Sequence, residues 1–193
     1  GQADMFTYEL YIAGLPAIVD SGVYEYKAGQ WRDYFRSTRA HNTVEVNGRN
    51  QSEMWSSFRV AKRARIIEVK TGGFKGVKWC GACHDGYRGL KNGGDHFRLI
   101  VWIQPDIWIV FDEIVGSQGV RYENNIHFFP GSVLKLIEGS HFKVNLASNE
   151  MKISGFGNCD VQCAHGSLSG KPQGWYSEEF GILQKNSLGI QIV

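Results

Sequence analysis

Apolar and polar residues alternate with period two through nine segments: residues 5–12, 43–46, 58–69, 74–80, 96–103, 107–114, 121–129, 133–137 and 142–146. Successive residues of a strand point to opposite faces, so this rhythm builds half-buried strands and not helices. No segment carries the 3.6-residue rhythm of a long amphipathic helix. So many short strands imply an all-β fold, an antiparallel β-sandwich or pair of stacked sheets (supersandwich-like), with little or no helix. The turn chemistry agrees. Asn47-Gly48 follows Val44-Glu45-Val46 as a hairpin signal, and Gln104-Pro105-Asp106 separates two aromatic-rich strands. An aromatic content of 13% and 24 glycines against four prolines suit the same architecture.

At 193 residues with no internal repeat and no Pro/Ser-rich linker, residues 1–193 are expected to form a single β-sandwich domain. A chain of this length buries roughly 70% of its unfolded surface, so it needs neither disulfides nor metal simply to fold. Twenty-one basic against 19 acidic residues leave no nucleic-acid footprint. No run of 18 apolar residues marks a membrane span. The strand pattern starts almost at Gly1, which reads as a piece of something longer; the compartment, whether periplasmic, secreted or cytoplasmic, is therefore not legible.

Chemistry concentrates between Arg36 and Val44, where His41 is flanked by Arg36, Arg39 and Asn42 just before a strand. Asp20 ends an apolar run 21 residues upstream, so the two side chains are expected to converge as a metal site or a charged pair. The other histidines, at 84, 96, 127, 141 and 165, form no recognisable ligand motif and read as structural or surface residues. Trp79-Cys80-Gly81-Ala82-Cys83-His84 satisfies a haem-attachment pattern and nearly a thioredoxin one. Strands surround it where a redox pair requires a helix N-terminus, so free thiols are expected. Cys159 and Cys163 would complete a four-thiolate zinc site only with irregular spacing. Arg59, Lys62, Arg63 and Arg65 suit either an acidic polymer or a solvated sheet face. Trp31, Tyr34, Trp55 and Tyr87 lie among polar residues and are candidates for stacking on a sugar ring.

Several spaced motifs share one resemblance. They are Ala3-Asp4-x-Phe6-x-Tyr8-Glu9-Leu10, Val19-Asp20-Ser21-Gly22-Val23-Tyr24-x-Tyr26, Arg36-Ser37-Thr38-x-Ala40-His41-Asn42-Thr43-Val44 and Gln51-Ser52-Glu53-x-Trp55-x-x-Phe58-Arg59-Val60-Ala61. Later pieces are His84-Asp85-Gly86-Tyr87, His127-Phe128-x-Pro130 and Gly174-Trp175-Tyr176-Ser177. Together they resemble the C-terminal β-sandwich of the heparinase II/III-like polysaccharide lyases. The resemblance implies a bacterial two-part enzyme, an N-terminal α/α toroid packed on this sandwich, with an acidic polysaccharide such as a glycosaminoglycan or exopolysaccharide between them. It implies cleavage of a uronic-acid polymer by β-elimination, with the principal catalytic residues upstream of Gly1 and none in this chain.

The resemblance also implies a metal, often zinc. Asp20 and His41 match two of its ligand positions, while Gln2 stands where the family has histidine. An amide oxygen is a weak zinc ligand beside imidazole, so a direct Asp20–His41 hydrogen bond is the alternative. Tyr34, Arg36 and Arg39 are the expected substrate-facing residues. Without its toroid the fragment should be inactive and should expose surface that favours self-association. The rival reading is a non-catalytic carbohydrate-binding or scaffold module that has lost the metal site.

Overall fold

The computed structural model describes residues 1–116, 119–146, 149–156 and 158–193. The described fold is all-β and antiparallel, apart from one short α-helix, Gln30–Arg36, and a single 3-10 turn, Thr38–Ala40. It divides into two compact units, residues 1–61 with 121–193, and residues 62–120.

In the first unit, a four-stranded sheet runs Asp160–His165, Ser187–Ile192, Tyr122–His127, Val44–Val46 in spatial order, every pairing antiparallel. A three-stranded meander, Val133–Glu138, His141–Leu146 and Asn149–Ser154, supplies the second layer. Alternation along His141–Leu146 turns Phe142, Val144 and Leu146 inward, where they pack with Ala17, Ile18, Ile126 and Phe128. The Phe128 and Phe142 rings meet edge to face, 6.1 Å between centroids. Gly189 makes room for them: a Cβ there would stand 2.9 Å from the Phe142 ring. A smaller cluster of Tyr34, Phe35, Ala40 and Trp175 anchors the helix.

The second unit is a four-stranded meander of Ile66–Phe74, Val77–His84, Asp95–Ile103 and Ile107–Val115. Its alternation places His84, His96, Arg98 and Ile114 in the buried set, while Ile107, Ile109, Phe111 and Val115 are exposed.

Sequence and structure part company at three places. Residues 58–69 read as one strand but split into Arg59–Val60 and Ile66–Phe74. Of residues 5–12, only Leu10–Ile12 is strand, and it pairs with Leu15–Ile18. Asn47-Gly48 does form the tight turn, both residues having positive φ, but the chain returns only through an isolated bridge to Arg49. Val44–Val46 instead pairs across the chain with Tyr122–His127, a long-range partner that local turn chemistry does not reveal.

Candidate site around Asp20 and His41

Asp20 follows the strand Leu15–Ile18, and its position is set by backbone bonds on both sides. Val19 N–H donates to His127 O at 3.0 Å, and Ser177 N–H to Ser21 O at 2.9 Å. The chain then turns at Gly22, where φ is +79° and a Cβ would lie 2.1 Å from Ser177 O, so only glycine fits. The Gly22 N–H donates to Asp20 Oδ1 at 3.0 Å. On the other oxygen, Asp20 Oδ2 accepts from Thr7 Oγ1 at 3.2 Å and lies 2.7 Å from His41 Nδ1.

His41 follows the 3-10 turn Thr38–Ala40 and is fully buried, whereas the Asp20 side chain is 24% exposed. Because the carboxylate can only accept, Nδ1 of His41 carries the proton of this bond. Nε2 is buried and has no hydrogen-bond partner among the described residues. Burial disfavours ionised Asp20, but the hydrogen bond and charge of His41, helped by Gly22 N–H and His127, outweigh it and hold the carboxyl below its usual range.

Asn42 fastens the site to both sides. Its Nδ2 donates to Tyr8 O at 2.8 Å and Val19 O at 2.9 Å, and its Oδ1 accepts from His127 N–H at 2.7 Å. His127 Nε2 donates to Arg39 O at 2.9 Å, which leaves Nδ1 to accept from Ser21 Oγ at 3.3 Å. Burial pushes its pKa down to about 4, so this histidine is neutral at pH 7. The sequence places Asn42 beside His41 as a residue able to orient it; His127, read as a structural or surface histidine, lacks any local ligand motif, and only the fold brings it here.

The other expected site residues turn inward. Tyr34 is buried, its hydroxyl 3.3 Å from both Trp175 O and Trp175 N, and burial raises its pKa to about 12. Arg36 donates to Gly1 O at 3.0 Å and to Ser56 O, and Arg39 pairs with Glu45 at 2.5 Å. Gln2 Nε2 donates to Phe35 O at 3.1 Å and Gly22 O at 3.4 Å. Tyr34, Arg36 and Arg39 thus bond within the fold, although Arg36 Nη2 is buried with no hydrogen-bond partner among the described residues. Among the aromatics proposed to stack on sugar, Tyr34 and Tyr87 are buried and Trp55 is 69% exposed.

Zinc needs about four donors arranged tetrahedrally, which sets neighbouring ligand atoms about 3.3 Å apart. Asp20 Oδ2 and His41 Nδ1 stand closer, at hydrogen-bond distance. Among the described residues no group of three or more His, Cys, Asp and Glu side chains gathers to hold a metal. Gln2 could offer only its amide oxygen, a weak zinc ligand beside imidazole, since its Nε2 donates to carbonyls; as they stand, Asp20 and His41 form a hydrogen-bonded pair. Cys80 and Cys83 lie three apart on the strand Val77–His84, an odd spacing that sends them to opposite faces, and all four cysteines are free. No helix among the described residues is long and apolar enough to cross a membrane.

A second polar cluster lies within residues 62–120. His84 Nε2 is 3.0 Å from His96 Nδ1, His96 Nε2 is 2.7 Å from Asp112 Oδ1, and Arg98 clasps Asp112 through Nε and Nη2 at 2.7 and 2.8 Å. Polar residues at alternate positions of an otherwise apolar strand, His96 and Arg98, were the available signal.

The profile described as heparinase II/III-like, C-terminal, matches residues 1–193. The chain belongs to this family. A heparin-sulfate lyase of Bacteroides stercoris is 25% identical over 186 residues, covering 93% of this chain and 25% of that protein. The fold is similar to part of a heparan sulfate lyase from Pedobacter heparinus, with TM-score 0.79 and 18% identity over all of this chain and 28% of the other. A heparinase III structure gives TM-score 0.76 and 20% identity, again over 28% of its chain. This heparinase II/III-like domain therefore spans about a quarter of the length of the relatives it matches.

Proposed function

We propose that this domain is the β-sandwich part of a polysaccharide lyase that cleaves a uronic-acid-containing polysaccharide by β-elimination. The observation that carries this reading is the family match over the whole chain. Elimination requires that the uronate carboxylate be neutralised and that positioned groups take the C5 proton and release the O4 leaving group. Within this chain His41, His127 and Tyr34 are buried in structural hydrogen bonds. That supports a division of labour in which the reacting groups come from the remainder of the parent, an upstream toroid, and this domain shapes and stiffens one wall of the site.

The test compares the 193-residue chain with a polypeptide that also contains the upstream region, both incubated with heparan sulfate and with other uronate polymers. Ultraviolet absorbance of the unsaturated uronate should rise with the longer polypeptide and not with the chain alone. Product from the isolated chain would overturn the division of labour, and no product from the longer polypeptide on any uronate polymer would overturn the lyase reading. In that second case the rival reading takes over, a carbohydrate-binding module without chemistry. The observation that favours it is Gln2, whose amide bonds to backbone carbonyls where a histidine ligand is expected.

A further inference from the structure

The four-stranded meander of residues 62–120 carries its polarity inside out. Its register sets His84, His96 and Ile114 in one row across the strands and Ala82, Arg98 and Asp112 in the next, and His84, His96 and Arg98 are almost fully buried. The alternate residues form the opposite face, and that face is apolar. Phe74, Val77, Ile103 and Ile107 make one row across all four strands. Trp79, Val101 and Ile109 make the next, beside Gly72; Leu99 and Phe111 follow, beside Gly81 and Lys70. The outer members of these rows stand in water: Phe74 is 73% exposed, Ile107 56%, Phe111 49%, Ile109 45% and Trp79 37%. An antiparallel sheet with one solvated face normally turns its polar residues to that side. Here the ionic cluster is buried and the apolar rows are exposed, which is unfavourable unless the second face is covered as well.

Charge, area and shape indicate what covers it. Charged groups are confined to the rim: Glu68 pairs with Lys70 at 2.6 Å, Arg88 clasps Asp95, and Lys75 Nζ lies 5.1 Å from the centroid of the Phe74 ring. Glu113, in register with Phe97, and Asp106 in the turn complete the perimeter. Three basic side chains against four acidic ones nearly cancel, so the face selects neither a polyanion nor a polycation and does not repel an identical face. At the exposures above it offers on the order of 600 Å² of apolar surface, so two such faces would bury about 1,200 Å², the lower end for a stable, specific interface. Sheets pack face to face when their twists match, and two copies of one sheet have the same twist. An apolar centre inside a polar rim is also how such interfaces are built.

We propose that the apolar face of this meander, centred on Trp79, Val101, Ile109 and Phe111, docks a second copy of the chain, the two sheets packing face to face about a two-fold axis as an intermolecular sandwich. Such an interface presents the same patch from both copies, so every substitution in it acts twice. The pairing is independent of the lyase reading and stands or falls without it.

The test is molar mass in solution, by light scattering behind size exclusion over a concentration series, for the 193-residue chain and for the longer polypeptide. Both should approach twice the mass of one copy and go no further. Ile109→Lys and Phe111→Lys each place a charge on the face at a half-exposed position and should weaken the pair at least about tenfold, with the thermal midpoint of the separated copies unchanged. Phe111→Thr, which keeps strand propensity and adds no charge, should act in the same direction and covers the case in which lysine unfolds the sheet. Leu136→Lys, at a 55% exposed position of the first unit, should leave the pair intact. A single copy at every concentration, mass that climbs past two copies, a pair that survives the face variants, or equal weakening by Leu136→Lys would overturn the proposal. So would a longer polypeptide that stays single while the 193-residue chain pairs, since upstream residues would then cover the face.

Discussion

His84 Nε2 and His96 Nδ1 lie 3.0 Å apart in the buried cluster of residues 62–120, and the bonds around them fix where every proton sits. Gly86 N–H donates to His84 Nδ1 at 3.0 Å, so the proton of His84 is on Nε2 and points at His96. His96 then accepts on Nδ1 and donates from Nε2 to Asp112. Both rings are neutral in this arrangement, and adding a proton to either removes an acceptor that the chain of bonds requires.

Acid should therefore loosen these residues. Burial first, then the charges of His96 and Arg98, push the His84 pKa down to about 3; burial lowers His96 as well, against the pull of Asp112. A histidine whose folded pKa lies below its unfolded value binds fewer protons when folded. Its contribution to stability is therefore complete above pH 6.5 and is lost as pH falls toward the folded pKa. The expected loss between pH 7 and pH 4.5 is on the order of 2 kcal/mol for His84 alone. Urea unfolding at the two pH values checks it, and an unchanged midpoint would contradict the neutral relay.

Asp112 compensates the buried Arg98 charge and orients His96. Burial opposes its ionisation, but the Arg98 charge and the His96 and Arg98 bonds hold the carboxyl well below the usual range. Asp112→Ala takes the carboxylate away from a buried guanidinium and should cost about 3–5 kcal/mol. Chemical denaturation followed by tryptophan fluorescence measures this; a loss under about 1 kcal/mol would show that Arg98 finds water or another partner.

Asn42 is expected to be the most sensitive polar residue at the Asp20–His41 site. It donates to two carbonyls and accepts from one amide, so Asn42→Ala leaves several buried groups unpaired at a cost of about 3 kcal/mol. Asn42→Asp should be no milder, since a carboxylate cannot donate to Tyr8 O and Val19 O. Thermal midpoints of the two variants, compared with that of the unaltered chain, decide the matter.

Much of this was legible before the fold was known, and the parts that were not share a cause. The strands of residues 62–120 follow from alternation because each pairs with its sequence neighbour across a short turn, as Val77–His84 does with Asp95–Ile103. Asn149–Ser154, Asp160–His165 and Ser187–Ile192 escaped notice because each is only six residues long and carries two or three apolar side chains, too few for a clear rhythm. Asp20 and His41 were legible as a converging pair, since Asp20 ends a clear apolar run and His41 stands just before a clear strand. That Tyr34 and Arg36 point inward was not, because a seven-residue helix shows too little periodicity to tell its buried side from its exposed one.

Metal content follows from the same geometry. After dialysis against trace zinc, the 193-residue chain should retain well under one equivalent by elemental mass spectrometry. Near-stoichiometric zinc that disappears in His41→Ala would show that the Asp20–His41 hydrogen bond opens to admit a metal.

The central claim is elimination, and the most direct measurement is mass spectrometry of the products that the longer polypeptide makes from heparan sulfate in heavy-oxygen water. Elimination breaks the C–O bond without consuming water, so the account predicts an unsaturated uronate end and no heavy oxygen in the new reducing end beyond slow exchange seen in an enzyme-free control. Saturated products with heavy oxygen incorporated stoichiometrically would mean hydrolysis and would contradict it.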